Sequence, residues 1–229
     1  MKKLISAILI CLTIQSQAQQ GSPQIHTAPV KGIVMDMKNK KLKGEQILFI
    51  AKKTKKTVTG ISDIKGVFLI NLPTGDTYEI RIKGIGDDME YSSFEIPALP
   101  KGQEYTNPFE VMINYEPPRQ FTLKNVHFDT GKSTIRKESF PELAELTDYL
   151  TLKPEVKIEI AGHTDNIGKD DANAKLSQDR ADAIKAYLVT KGIDVARLTA
   201  KGYGSTQPVA DNANEEGRQK NRRTEVRIK

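Results

Sequence analysis

Asp165 and Arg180 are the two residues of this sequence whose types and placement could do chemistry. They lie in the stretch H-T-D-N-I-G-K-D-D-A-N-A-K-L-S-Q-D-R, His163 to Arg180. Asp165 falls at the mouth of an expected strand. Arg180 falls on the apolar stripe of the helix that follows, where Leu176, Ile184, Tyr187 and Leu188 come round to the same face. A guanidinium aimed at the body of a domain needs a partner or a task. One task is to form, with Asp165, the two ends of a small pocket for a zwitterion. On spacing alone the same pair could equally bridge each other and hold the fold together, and both readings stand at this point.

Other reactive arrangements are not written in the chain. His163 has no H-x-x-x-H partner, and the remaining histidines are His26 and His127, so a structural histidine is expected and not a metal ligand. No Ser-His-Asp constellation, metal set or paired carboxylate stands out, so no enzyme and no cofactor is expected. Gly202-Tyr203-Gly204 lacks the strand-to-helix context of a phosphate loop and reads as a turn. Lys52, Lys53, Lys55 and Lys56 read as a solvated hairpin, and Asp87-Asp88 as a loop.

The elements that must position the pair follow from pattern changes along the chain. After Pro117-Pro118 strands alternate with helices: a strand over Thr122–Phe128, a helix over Glu138–Leu150 with Phe140, Leu143, Thr147 and Leu150 on one side, and a strand over Val156–Gly162. A helix over Ala172–Lys191 follows, then a short strand near Leu198–Ala200, a helical turn over Glu215–Asn221 and a last strand over Thr224–Ile228. Alternation of this kind predicts a two-layer α/β sandwich, a βαβαβ core with a mixed sheet. Before the prolines, short alternating runs over Ile33–Met37, Gln46–Ala51, Lys56–Ile61, Gly66–Asn71, Thr77–Lys83, Tyr91–Ile96 and Glu110–Asn114 predict an all-β antiparallel sandwich.

The start of the chain speaks to compartment. Lys2-Lys3, the apolar run Leu4–Ile14 and Ser16-Gln17-Ala18 read as a secretory signal peptide over residues 1–18. Cys11, the one cysteine, lies inside the apolar run behind Ile10, where lipidation would want a small residue; it reads as part of the signal. The mature chain then has no disulfide. The net charge of +6 falls to +4 once Lys2 and Lys3 leave, a mild excess that does not suit nucleic-acid binding. No later segment approaches the roughly 20 apolar residues of a transmembrane helix. The expected division is a lead-in over 19–29, a β-sandwich over 30–115, a Pro-rich linker over 116–120 and the α/β domain over 121–229.

Two resemblances add to this reading. G-I-V-M-D-M (Gly32–Met37), K-L-K-G (Lys41–Gly44), S-D-I-K-G-V-F (Ser62–Phe68) and L-P-T-G-D-T-Y (Leu72–Tyr78) resemble the carboxypeptidase regulatory-like, or transthyretin-like, β-sandwich, whose members are passive modules of exported proteins. F-D-T-G-K-S (Phe128–Ser133), G-H-T-D-N-I-G (Gly162–Gly168), L-S-Q-D-R-A (Leu176–Ala181), G-Y-G-S-T-Q-P (Gly202–Pro208) and G-R-Q-K-N-R-R-T-E-V (Gly217–Val226) resemble the OmpA C-terminal domain.

The second resemblance implies non-covalent binding of peptidoglycan through the diaminopimelate residue of its stem peptide. It implies that Asp165 takes the ligand ammonium and Arg180 its carboxylate, with Thr130, Gly131, Thr164 and Asn166 beside them. Asn221, Arg222 and Arg223 are expected to organise the loops behind the site, with Arg222 or Arg223 near the ligand carboxylate. Many members carry Asn where this chain has Gly131, which removes any side-chain contact there. The implied location is the periplasm, associated with the cell wall and peripheral to the outer membrane. Two functions follow: a wall tether for the sandwich, or a structural or assembly component of an outer-membrane or secretion complex whose sandwich holds an envelope protein partner.

Overall fold

The computed structural model describes residues 26–229, in two compact units, one ending at Pro117 and the other beginning at Pro118. The signal-peptide reading of residues 1–18, with Cys11, and the lead-in up to residue 25 lie outside the described residues. No described helix is long and apolar enough to cross a membrane.

The first unit is built from seven strands: β1 (Thr27–Met35), β2 (Gln46–Ala51), β3 (Thr57–Ile61), β4 (Val67–Pro73), β5 (Asp76–Ile82), β6 (Met89–Ile96) and β7 (Phe109–Asn114). They form sheets of order β4-β1-β7 and β3-β2-β5-β6. The inward residues of both sheets share one core, including Val30, Phe68, Leu72 and Val111 from the first and Ile47, Phe49, Tyr78 and Ile80 from the second. Phe49 meets Phe68 edge-on at 5.8 Å between centroids.

Two expectations are corrected here. The unit is not purely antiparallel, because β1 and β7 pair in parallel, Val30 with Phe109 through Met35 with Asn114. The first and last strands of the unit are far apart in sequence, so nothing forces a hairpin between them. The lead-in also ends earlier than residue 29, since Thr27, Ala28 and Pro29 already pair with β4. Pro29 is tolerated because it precedes Val30, the first residue paired with β7; its missing N–H costs that ladder nothing.

The second unit holds β8 (Gln120–Leu123), α1 (Phe140–Leu152), β9 (Ile158–Gly162), α2 (Asp170–Thr190), β10 (Leu198–Gly202), α3 (Glu215–Asn221) and β11 (Thr224–Ile228) in a sheet of order β10-β9-β11-β8. The sheet is mixed: β9 and β10 are parallel, and β11 runs antiparallel to both β9 and β8. A parallel pair requires a crossover, and α2 supplies it.

β8 is shorter than the strand expected over Thr122–Phe128, and it starts at Gln120, inside the expected linker. The buried carboxylate of Glu142 accepts from the backbone N–H groups of Lys124 (3.0 Å) and Asn125 (2.7 Å), which ends the ladder. In α1 the buried side chains are Glu142, Leu143, Leu146 and Leu150; Phe140 is partly exposed and stacks on Tyr187. Thr147 spends its hydroxyl on the Leu143 carbonyl.

In α2 the buried positions are Asn173, Ser177, Ala181, Ile184 and Leu188, so the inward face is centred one position beyond the Leu176–Arg180–Tyr187 line. The reason is close approach. A Cβ on Gly162 would lie 2.3 Å from the Ser177 carbonyl oxygen, and one on Gly202 would lie 2.3 Å from the Gln178 nitrogen. Glycine at both strand ends lets small α2 residues sit on the sheet, and Leu176, Arg180 and Tyr187 are left half-buried at the margin.

The sheet carries a charged network. Glu225 accepts from Arg223 and Arg227, each at 2.7 Å, and Glu159 from the Tyr203 hydroxyl at 2.8 Å and Lys229 at 2.7 Å. Burial alone would raise the Glu225 carboxyl, but hydrogen bonds from Arg227 and Arg223 hold it below its ordinary value. His163 lies flat on Tyr203, with centroids 5.3 Å apart, and its Nε2 is 3.5 Å from Glu225. Burial, then the Arg223 charge, pushes the imidazole down to about 4.

Two predictions follow from this packing. Gly162→Ala should destabilise the second unit by about 1–3 kcal/mol, because the clash is with backbone that cannot swing aside; urea denaturation would show it as a lowered midpoint, and an unchanged midpoint would contradict it. His163 is neutral in the fold and has an ordinary value of 6.5 when unfolded, so the unfolded chain takes up a proton that the folded chain refuses. That contribution is complete above pH 6.5 and is lost as the pH falls toward 4, on the order of 3 kcal/mol in all. Between pH 7 and 4.5 the wild-type midpoint should fall more than that of His163→Gln; equal falls would contradict it.

Candidate functional site

The loop after β9 fixes Asp165. The Thr164 N–H donates to the Gly204 carbonyl at 2.9 Å, and the Thr164 hydroxyl donates to the carbonyl of Asp165 at 2.9 Å. The Asp165 Oδ1 accepts from the Ile167 N–H at 3.0 Å, a turn that an Asx side chain makes with the backbone two residues on. The side-chain amide of Asn173, buried in the first turns of α2, donates to the carbonyls of Asp165 (3.3 Å) and Ile167 (3.1 Å). Asp165 is thus held from both sides and is only 8% exposed.

Arg180 is held differently. Its Nε donates to the Lys132 carbonyl at 3.0 Å, its Nη2 reaches the Asp129 carbonyl at 3.5 Å, and its guanidinium lies 5.1 Å from the centre of the Phe128 ring. The segment that supplies these contacts is the F-D-T-G-K-S loop, closed by an antiparallel bridge between Phe128 and Ile135. Gly131 sits at its tip with φ +68°, and a Cβ there would meet nothing within 4 Å. Backbone conformation, and not space, favours glycine at this position, and Asn is among the residues that best tolerate such a conformation.

Among the described residues Arg180 has no carboxylate within ion-pairing distance. Burial, then the neighbouring charge of Arg222, lowers its affinity for its proton, and Asp165 offsets part of this. It stays protonated.

These groups line a cavity of about 530 Å³ that includes Thr130, Gly131, Thr164, Asp165, Arg180 and Arg222. Of the expected site residues, Asn166 alone is outside its lining; it is exposed in the loop beyond Asp165. α3 supplies a further wall with Glu215 and Gln219, and Arg222 follows at the C-terminal cap of that helix. Asn214 caps this short helix by accepting from Gly217 N–H at 2.7 Å, and Asn221 ties its far end to Val209 and Ala210.

The expected pairing of charges is altered in one respect. Asp165 and Arg180 do not bridge each other; the Asp165 Oδ2 accepts from the Arg222 Nη1 at 2.6 Å. The Nη2 of Arg222 donates to Glu215 and Gln219. The bond to Asp165 first, and then the one to Glu215, raises the affinity of Arg222 for its proton. Arg223 is occupied elsewhere, with Glu225 and the Gln207 carbonyl. Sequence reasoning missed Asn173, Glu215 and Gln219. Asn173 could have been found as a polar residue on the stripe that also carries Ser177 and Ala181; nothing in the spacing points to the α3 pair.

Residues 127–222, which span all the cavity residues named above, match the OmpA family. The chain is 47% identical over 104 residues to outer membrane porin F of Pseudomonas fluorescens, covering 45% of this chain and 32% of that protein. It is 34% identical over 147 residues to motility protein B of Bacillus subtilis (strain 168), covering 62% of this chain and 56% of that protein. A solved structure described as the cell wall anchor of the T6SS from Pseudomonas aeruginosa is 35% identical, with 47% of this chain and 76% of that chain covered and a TM-score of 0.41. The chain thus spans about a third of the length of the porin and little more than half of the motility protein. Residues 127–222, with Asp165, Arg180 and Arg222 among them, are an OmpA-like domain.

Proposed function

We propose that this domain binds peptidoglycan non-covalently through the diaminopimelate residue of the stem peptide, and so tethers the N-terminal β-sandwich to the cell wall. The observation that carries the reading is Arg180. It is a half-buried guanidinium steadied by two backbone carbonyls and the Phe128 ring, opening on a cavity it shares with Asp165, and without a carboxylate of its own among the described residues. A guanidinium held by neutral acceptors keeps its charge available for an anion. Diaminopimelate offers a carboxylate for Arg180 and, on the same carbon, an ammonium for Asp165.

Thr130, Gly131 and Thr164 form walls, and Thr164 contributes mainly by fixing the Asp165 backbone. Asn166 belongs to the outer rim. Binding of this kind moves no proton and breaks no bond. Charge-assisted hydrogen bonds contribute ~1.5–3 kcal/mol each, so a single site yields a modest affinity. The wall repeats its stem peptide, and rebinding to neighbours raises the overall hold. In this account the protein is exported by its first 18 residues, residues 30–115 are a carboxypeptidase regulatory-like module, and residues 121–229 fasten it in the periplasm beside the wall.

Co-sedimentation of the full chain with purified sacculi tests the reading. Wild type should be retained, and Asp165→Ala and Arg180→Ala should each weaken retention about tenfold or more, as loss of one ionic contact requires. Retention of the Asp165→Ala, Arg180→Ala double variant at the wild-type level would contradict it.

A further inference from the structure

If Asp165 is the acceptor for a ligand ammonium, Arg222 stands in the way. Its Nη1 lies 2.6 Å from Asp165 Oδ2, while Asp165 Oδ1 already takes the Ile167 N–H. The other nitrogen of the same fork, Nη2, donates to Glu215 and Gln219 on α3. Arg222 therefore has two sets of acceptors, and it can let go of Asp165 without losing those on α3. It also faces the cavity that holds Arg180, close enough for the two like charges to disfavour each other.

We propose that Arg222 is an exchangeable internal counter-ion that makes the site selective for an ammonium and a carboxylate carried together, as on the amino-acid end of diaminopimelate, over an amine alone. The inference rests on the wall-binding reading and adds the residue that sets its specificity. An amine that displaces Arg222 from Asp165 replaces one cation by another, a near-neutral exchange. It leaves the Nη1 of Arg222 without an acceptor, in a cavity that already contains Arg180. A ligand that brings a carboxylate with its ammonium supplies the acceptor that Arg222 gives up, and both guanidiniums then share one anion. The cost of displacing Arg222 is thus borne mainly by ligands without the second group. Selectivity arises as much from rejecting the wrong ligand as from gripping the right one.

Lysine differs from diaminopimelate by that single carboxylate, which gives a direct test. The full chain would be titrated calorimetrically with two synthetic stem tripeptides, one carrying diaminopimelate and one carrying lysine in its place. Wild type should favour the diaminopimelate peptide. Arg222→Gln frees Asp165, so it should bind the lysine peptide about tenfold more tightly than wild type does, and the discrimination between the two peptides should shrink accordingly. If the lysine peptide binds Arg222→Gln no better than wild type, while the diaminopimelate peptide still binds wild type, the counter-ion role is overturned and the wall-binding reading stands. If wild type binds neither peptide, both fall. Glu215→Gln is an independent variant should Arg222→Gln fail to fold: it removes the negative charge of an alternative acceptor and so shifts Arg222 toward Asp165. The lysine peptide should then bind more weakly than to wild type, and tighter binding would overturn the proposal.

Discussion

The close seating of α2 on the ends of β9 and β10 is the constraint on which the rest of the second unit depends. With Gly162 and Gly202 at the contact, the backbone of Ser177 and Gln178 lies where a side chain would otherwise stand. Interiors packed at this density do not yield by small amounts, so the helix has one position along the strands. Asp165 lies three residues beyond one side of that contact and Arg180 three residues beyond the other. The distance between the two charges is therefore set by main chain. Asn173 secures the arrangement by bonding the Asp165 loop to the same helix.

Around this frame the charges are distributed unequally. Asp165 is satisfied by Arg222 and a backbone N–H, whereas Arg180, among the described residues, is satisfied by carbonyls and an aromatic face. Arg222 links the acid to α3, so the wall of the cavity and its acceptor are electrostatically one assembly. The second charged cluster, around His163, Glu159 and Glu225, is closed on itself: each carboxylate has at least two cationic or hydroxyl donors, and the imidazole is kept neutral. One cluster is fold and the other is site, although both follow from the same strand.

Much of this was legible in the sequence because it is periodic or local. The alternation of Tyr78, Ile80 and Ile82 gives β5, and the 3.6-residue spacing of Leu176, Arg180, Ile184 and Leu188 gives α2 and directs Arg180 toward the cavity. What could not be read is what depends on residues meeting across long separations. The parallel pairing of β1 with β7, the end of β8 imposed by Glu142, and the Asp165–Arg222 pair join positions 79, 18 and 57 residues apart or thereabouts in sequence, and no spacing rule predicts them. The centring of the α2 face on Ser177 and Ala181 depended on recognising that glycines at strand ends admit a helix closely. The motif leaves Arg222 and Arg223 as alternatives for the ligand carboxylate, and their observed partners, Asp165 for Arg222 and Glu225 for Arg223, are not written in its spacing.

The central claim is that Asp165 and Arg180 hold the two charged groups of a diaminopimelate-containing peptide. The most direct measurement is a nuclear magnetic resonance titration of the full chain with such a tripeptide. The account predicts saturable shifts of the Asp165 and Arg180 signals, extending to Thr130, Gly131 and Arg222, with those of residues 30–115 unmoved. Saturable binding that leaves Asp165 and Arg180 unperturbed, or no binding at all, would contradict it.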